Sequence, residues 1–425
     1  MTDTPAHHTR VAWLVTAVGA VGFLGMAALL VPWNPAPGGW PEPAAAASVF
    51  SADEVARGEE FARWNRVLSW SALGVSLLVA CGLGFTRVGA GLLGGRAEQG
   101  WRSHWTVKVT CLSAVVLLIG ELVTLPFGLA LRSRRVNHGL TQQALPDWAV
   151  DQVKGYLLSV VVAAVALIVL VGCARRWHRW WPAVAGGICA GLVVAGSFAY
   201  PVVVEPLFND FASMEEGPPR SEILDLARVE GVAVDDVLVA DASRRTTTLN
   251  AYVSGFGSTR RVVVYDNLLE SQPEDQVLSV VAHELAHAKH DDVLVGTGLG
   301  AFGVMVGIGL LGVITGSGLV RRRSGTDGLR DPRSVALVLA LMAVATVLSS
   351  PVQSTISRHV EMRADTDALR VTAPEAMVEL QRQLCLRSLC DPTPPAWSQF
   401  WFGSHPTVLE RVALARVAAG DQSEG

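Results

Sequence analysis

The residues best suited to chemistry in this chain are His283, Glu284 and His287, the H-E-x-x-H within Val280-Val281-Ala282-His283-Glu284-Leu285-Ala286-His287-Ala288-Lys289-His290. On a helix, residues four apart lie one turn above each other on one face, so both imidazoles can reach one metal ion. Glu284 then stands beside the water such an ion holds, which is the arrangement of a zinc peptidase. A surface helix with two histidines would give the same five letters. The flanks argue otherwise: Val277, Val280, Val281 and Leu285 supply an apolar side, Glu274 and Gln276 a polar start, and histidines drawn into such a helix need a partner such as a metal.

A catalytic site of this kind takes a third protein ligand and leaves a fourth position open for water. His290 shares the helical face but rises about 10 Å beyond His283, too far for one ion on a straight helix. No glycine stands where the chain would have to turn, so His290 is expected as a solvated or supporting residue. Further on, Glu361 and Asp365 are spaced i, i+4 in Ser357-Arg358-His359-Val360-Glu361-Met362-Arg363-Ala364-Asp365. One carboxylate can bind the metal while the other, a turn away, fixes the tautomer of a ligand histidine. Spacing alone leaves open whether Glu361 is the ligand, because an exposed helix of mixed charge reads the same way.

The elements that must position these residues lie in an unusually apolar chain. Of 425 residues, 50% are hydrophobic and 17% charged, which is too apolar for an ordinary soluble enzyme and indicates a membrane protein. The net charge of −4, with no basic stripe interleaved with aromatics, argues against nucleic acid as a partner. Cys81, Cys111, Cys173 and Cys189 fall inside apolar runs, and no C-x-x-C pair occurs. Cys385 and Cys390 can pair only if that part of the chain is non-helical and lies in an oxidising compartment.

Apolar runs at residues 11–31, 67–85, 105–131, 156–173 and 183–204 each come near the roughly 20 residues that cross a bilayer core. The first is too long for a secretory signal, and the alanines at 44–47 stand too far beyond it, so it reads as a retained helix. From 205 to 292 the composition is that of a soluble domain, with an amphipathic helix over 220–230 and short buried strands at 237–240 and 261–265. Runs at 293–320 and 335–347 bring the crossings to seven, and from 357 the chain is soluble again. The expected organisation is membrane helices over 1–204, a first catalytic part over 205–292, two more membrane helices over 293–350 and a second catalytic part over 351–425. Two separated soluble segments must therefore meet to make one catalytic domain.

His283 to His287, Ser357 to Asp365 and the S-H-P-T-V-L-E-R block from Ser404 to Arg411 together resemble the three signature blocks of the Ste24-type CAAX prenyl proteases, the M48 zinc metalloproteases. The resemblance extends to Glu205-Pro206-Leu207-Phe208-Asn209, Asn250-Ala251-Tyr252, 264–269 and parts of 139–154, and so covers most of the chain beyond Glu121. Seven crossings favour the Ste24 branch over the related HtpX-type proteases, which have fewer. The resemblance implies a predominantly α-helical polytopic membrane protein, with seven transmembrane helices around a chamber and an α+β zincin-like metalloprotease domain as its cap. It implies one Zn2+ per chain on His283, His287 and Glu361, with Glu284 as general base and Asp365 behind a ligand histidine. It places His405 near the substrate carbonyl, Arg411 as a brace, and Asn250, Ala251 and Tyr252 along the substrate backbone.

The implied function is a membrane zinc endopeptidase acting on membrane-associated or lipidated peptides. Clearance of misfolded membrane proteins, an HtpX-like role, is the alternative within the enzyme class, and an inactive membrane scaffold the alternative outside it. Glu121, inside the third run, is a carboxylate at membrane depth that nothing ties to the metal. Trp177, Trp180 and Trp181 among Arg175, Arg176 and Arg179 read as an interfacial belt. Two arguments about orientation oppose each other. The arginines of 321–333 and 175–179 favour a cytoplasmic side opposite the metal, whereas eukaryotic members of the resembled family carry the zinc domain in the cytosol and the loop 132–154 is itself basic.

Overall fold

The computed structural model describes residues 6–94 and 104–423; the outermost parts of the expected spans, 1–5 and 424–425, and the stretch 95–103 lie outside the described residues. Among the described residues, seven helices are long and apolar enough to cross a bilayer. The first four are α1 (Ala6–Leu30), α2 (Ala52–Phe85), α4 (Trp105–Asn137) and α5 (Leu145–Arg176), with a short α3 (Arg87–Gly94) after α2. The fifth, α6 (Trp181–Ala199), continues through a widened turn at Tyr200–Val204 into α7 (Glu205–Phe208). The last two are α11 (Asp292–Gly316), followed by α12 (Gly318–Ser324), and α13 (Val335–Ala368).

Most of these helices outrun the apolar stretches that announce them. α2 begins at Ala52 because Ser51 and Glu54 cap it reciprocally, the Ser51 hydroxyl accepting from the Glu54 N–H and the Glu54 carboxylate from that of Ser51. α13 extends furthest beyond its apolar run, from 347 to Ala368, so the same rod that crosses the membrane carries Glu361 and Asp365. Pro351 lies within it and cannot donate to the carbonyl of Val347. Trp401, on α15 (Ala396–Phe402), supplies the missing donor: its Nε1–H bonds Val347 O at 3.0 Å. The hydroxyls of Ser350 and Ser354 bond the Trp401 carbonyl in return.

Going round, α11 neighbours α6, α6 neighbours α5, and α5 neighbours α4; then come α2 and α13, which closes back on α11. α1 lies along α11 and α6. Several of these helices bury few side chains against their neighbours, and toward the end of the ring opposite the sheet α4, α5, α6, α11 and α13 share a packed cluster that includes Val109, Leu167, Trp181, Leu311 and Val335.

Between α7 and α11 the chain folds as β1 (Phe211–Ser213), α8 (Pro218–Val229), β2 (Asp236–Ala240), β3 (Ala251–Ser254), β4 (Arg261–Tyr265), α9 (Asp266–Ser271) and α10 (Glu274–Lys289). After α13 come α14 (Pro374–Ser388), α15 and α16 (Val408–Ser423). The sheet order is β1-β2-β4-β3, with β2 parallel to β4 and the outer strands antiparallel to their neighbours, so β3 is an edge strand. One face, with Val237, Ala251, Val262 and Val264, packs against Val277, Val281 and Leu285 of α10 and Leu380 of α14. This core draws on residues both before and after the last two membrane helices, which is how the two soluble segments meet.

Candidate metal centre

α10 starts after the extended Pro273 and carries Glu274 and Asp275 in its first turn and Lys289 in its last, matching the helix dipole at both ends. It stops at His290, and Asp291 takes the left-handed conformation (φ 53°), which aspartate tolerates better than most residues. That turn lets α11 start at once on Asp292, which comes back beside His287. His290 is carried away from the centre and pairs with Asp367 at 2.6 Å.

Packing of α10 on α13 brings His283, His287 and Glu361 together, with one ligand-type atom of each within 4.8 Å of the others. The Nε2 atoms of the two histidines are 3.1 Å apart, and Glu361 lies 3.2 Å from His283 and 3.7 Å from His287. Donors about 2.0–2.1 Å from one tetrahedral ion stand roughly 3.3 Å apart, so the spacing fits. The hydrogen bonds fit as well. His283 Nδ1 faces Asp365 at 2.8 Å and His287 Nδ1 faces Asp292 at 2.9 Å. Ionised carboxylates only accept, so each ring carries its proton on Nδ1 and turns a bare Nε2 lone pair toward the other. Two lone pairs at 3.1 Å repel unless a cation lies between them. Glu361 Oε2, buried and without a hydrogen-bond partner, is the third group facing that cation.

The surroundings call for positive charge. Burial disfavours a charged ring at His283, yet Asp365 and Glu361 beside it raise the ring to about 10. A proton or a bound cation would answer the same field. Arg411 grips Asp365 through Nε and a terminal nitrogen, and Arg363 grips Asp292. Each histidine is thus backed by a carboxylate that is itself backed by an arginine. Asp365 behind a ligand histidine and Arg411 as a brace are among the expected residues, but their pairing with each other is not. Asp292 and Arg363 were missed, although a second histidine ligand calls for a second carboxylate, and Asp291-Asp292 directly follow the helix.

Glu284 points into a cleft of about 420 Å3 lined also by Tyr252, Val253, Phe256, His287 and His405. Its carboxylate accepts no hydrogen bond from a described residue, and burial pushes it above the ordinary carboxylate range against the pull of the two histidines. His405 lies at the rim, its Nε2 3.3 Å from Glu361 and its Nδ1 3.0 Å from the Ser404 hydroxyl. Of the segment expected along the substrate, Tyr252 lines the cleft, Ala251 is buried in the core, and Asn250 borders a smaller adjoining cavity.

Residues 215–418 match the profile of peptidase family M48, and residues 43–210 that of the CAAX prenyl protease N-terminal region with five membrane helices. A "CAAX prenyl protease 1 homolog" of rice is 30% identical over 317 residues, 71% of each chain. The chain belongs to peptidase family M48. Another similar protein, the "Uncharacterized metalloprotease YhfN" of Bacillus subtilis, is 28% identical over 305 residues, again 71% of each chain. The crystal structure of S. mikatae Ste24p superposes with a TM-score of 0.77 over 95% of this chain and 99% of that one; at 18% identity the likeness carries the fold. As an M48 member the chain is a multi-pass membrane metalloprotease, and a metal is its cofactor.

Proposed function

We propose that His283, His287 and Glu361 hold one zinc ion per chain, and that Glu284 is the general base of an endopeptidase acting on membrane-associated or lipidated peptides. The observation that supports this most directly is the pair of Nε2 atoms 3.1 Å apart, with both Nδ1 atoms committed to carboxylates and Glu361 Oε2 unpartnered beside them. Zinc bound there supplies a Lewis acid that makes water a nucleophile near neutral pH and polarises the scissile carbonyl. Glu284 takes a proton from water as the oxygen adds to the carbonyl carbon, and returns it to the nitrogen as the C–N bond breaks, leaving a carboxylate and an amine. If Nδ1 of His405 accepts from Ser404, its Nε2–H faces the cleft and donates to the oxygen where negative charge grows.

The free edge of β3 offers backbone groups for an extended substrate, with Tyr252 and Val253 facing it and Asn250 at its start. Asp365 and Arg411 hold the His283 ring in its tautomer. In this reading residues 205–292 and 351–425 form one catalytic unit, inserted around the membrane helices of 293–350 and preceded by those of 1–204. The rice relative's name describes a CAAX prenyl protease, and a C-terminally lipidated peptide is the corresponding proposal for this chain. Elemental analysis of chelator-free protein should return one zinc per chain. Cleavage of a farnesylated CAAX peptide should then be compared with an unprenylated control. Zinc-free fresh protein would sink the metal assignment, and equal turnover of both peptides would remove the lipid from the substrate.

A further inference from the structure

Cys385 lies in the last turn of α14, and Cys390 follows just after its end; Leu389 between them is left-handed (φ 51°) and turns the chain back, so the two sulfurs form a disulfide. The bond sits at the metal end of the molecule. Asp391 beside it is paired with Arg66 of α2 at 2.8 Å, and Gly58 of α2 passes so close that a Cβ there would stand 2.2 Å from the Cys390 carbonyl oxygen. The other four cysteines, Cys81, Cys111, Cys173 and Cys189, all lie within membrane spans. Every cysteine outside the spans is therefore at the metal end and oxidised. Disulfides form and persist in oxidising compartments and are kept reduced in the cytosol.

The opposite end of the ring is where arginines gather. Five lie in 321–333 and three in 175–179. The fold joins them into one surface: Arg87 donates to the Arg322 carbonyl at 3.0 Å, Arg175 to the Arg330 carbonyl at 3.0 Å and Arg330 to the Ala174 carbonyl at 3.1 Å. At the metal end the short connectors 31–51 and 138–144 contain no Lys or Arg; the basic residues nearest them, Arg57, Arg63 and Arg66 on α2, Arg132, Arg134 and Arg135 on α4 and Lys154 on α5, sit on the helices themselves. Short loops rich in Lys and Arg stay on the cytoplasmic side.

From the disulfide at one end and the arginine surface at the other, we infer that the metal centre faces the oxidising, non-cytoplasmic side of the membrane. Its substrates are then polypeptide segments, lipidated or not, that are exposed on that face. The compartment stands apart from the catalytic reading, whereas the substrate class rests on it. This orientation is opposite to the one implied by the eukaryotic members of the family.

The test uses the full chain in intact cells. Glu216→Cys places a thiol on an exposed position of the metal end, and Asp327→Cys one on an exposed position of the arginine end. A membrane-impermeant maleimide should label Glu216→Cys in intact cells and Asp327→Cys only after permeabilisation. In the unsubstituted chain, acid quenching followed by alkylation and trypsin digestion should yield the peptides 383–387 and 388–411 joined by the disulfide. The reverse labelling pattern, or recovery of Cys385 and Cys390 as alkylated free thiols, would overturn the assignment. Failure of the catalytic reading would appear elsewhere, as zinc-free protein or as unchanged turnover in Glu284→Gln, and neither measurement depends on orientation.

Discussion

At the metal centre the rank order of substitutions follows from what each side chain touches. Glu284→Gln should keep zinc and fold while turnover falls about 10²–10⁴-fold, since an amide cannot take the proton; metal content and peptide cleavage measured on one preparation check it. Glu361→Gln removes the charged member of the converging trio and should release zinc under dialysis that Asp365→Asn survives. The Asp365 change should weaken affinity by about 10–100-fold, the usual range for a group supporting a ligand. Retention of zinc by Glu361→Gln and its loss from Asp365→Asn would exchange their roles. Asp292→Asn should weaken zinc by a similar factor, read by competition with a chromophoric chelator, because it leaves Arg363 without its carboxylate and His287 without a charged acceptor. The H-E-x-x-H was legible because helical spacing alone puts both rings on one face. Glu361 needed the resemblance, since nothing local says which of two carboxylates a turn apart faces inward. Asp292 was hidden because its approach to His287 depends on a left-handed turn at a residue that is not glycine.

Among the elements, α13 shows both what an apolar run reveals and what it conceals. Hydropathy marks where a helix meets lipid and says nothing about where its hydrogen-bonded ladder ends, so the polar continuation past 347 was invisible to it. The ladder survives Pro351 because Trp401 satisfies the carbonyl that the proline leaves free. Trp401→Phe keeps most of the ring and removes the donor, and should cost at most about 1–3 kcal/mol, the penalty of an unsatisfied buried acceptor, because the bond to Val347 is partly buried. In a Pro351→Ala background the restored backbone N–H can serve Val347, so the same change should cost much less. Thermal unfolding of the four proteins in one detergent gives the coupling. Equal losses in both backgrounds would mean that Trp401 acts only through packing. The start of α2 is written in Ser51 and Glu54, a capping box in plain sequence that lies well outside the apolar run.

For the whole molecule, seven crossings and two separated soluble segments could be read from composition, since lipid exposure and solubility leave different residue types behind. The order of the ring and the single core shared by the two soluble segments could not, because they depend on contacts between residues far apart in sequence. One consequence concerns the bilayer itself. At 1.5 Å per residue, Glu361 stands about 39 Å along α13 from Val335, so a tilt of one degree about the arginine end displaces it by roughly 0.7 Å. Metal–ligand distances are usually held within about 0.2 Å. α13 is thus a lever whose short movements at lipid level are magnified at the ligand, and membrane helices accommodate a bilayer that is too thin or too thick by tilting. Zinc affinity measured after reconstitution into lipids of graded chain length should be greatest near a hydrocarbon thickness of about 30 Å and fall on either side. A flat response would mean that α10 and α13 ride together as one body and that hydrophobic mismatch is absorbed elsewhere in the ring.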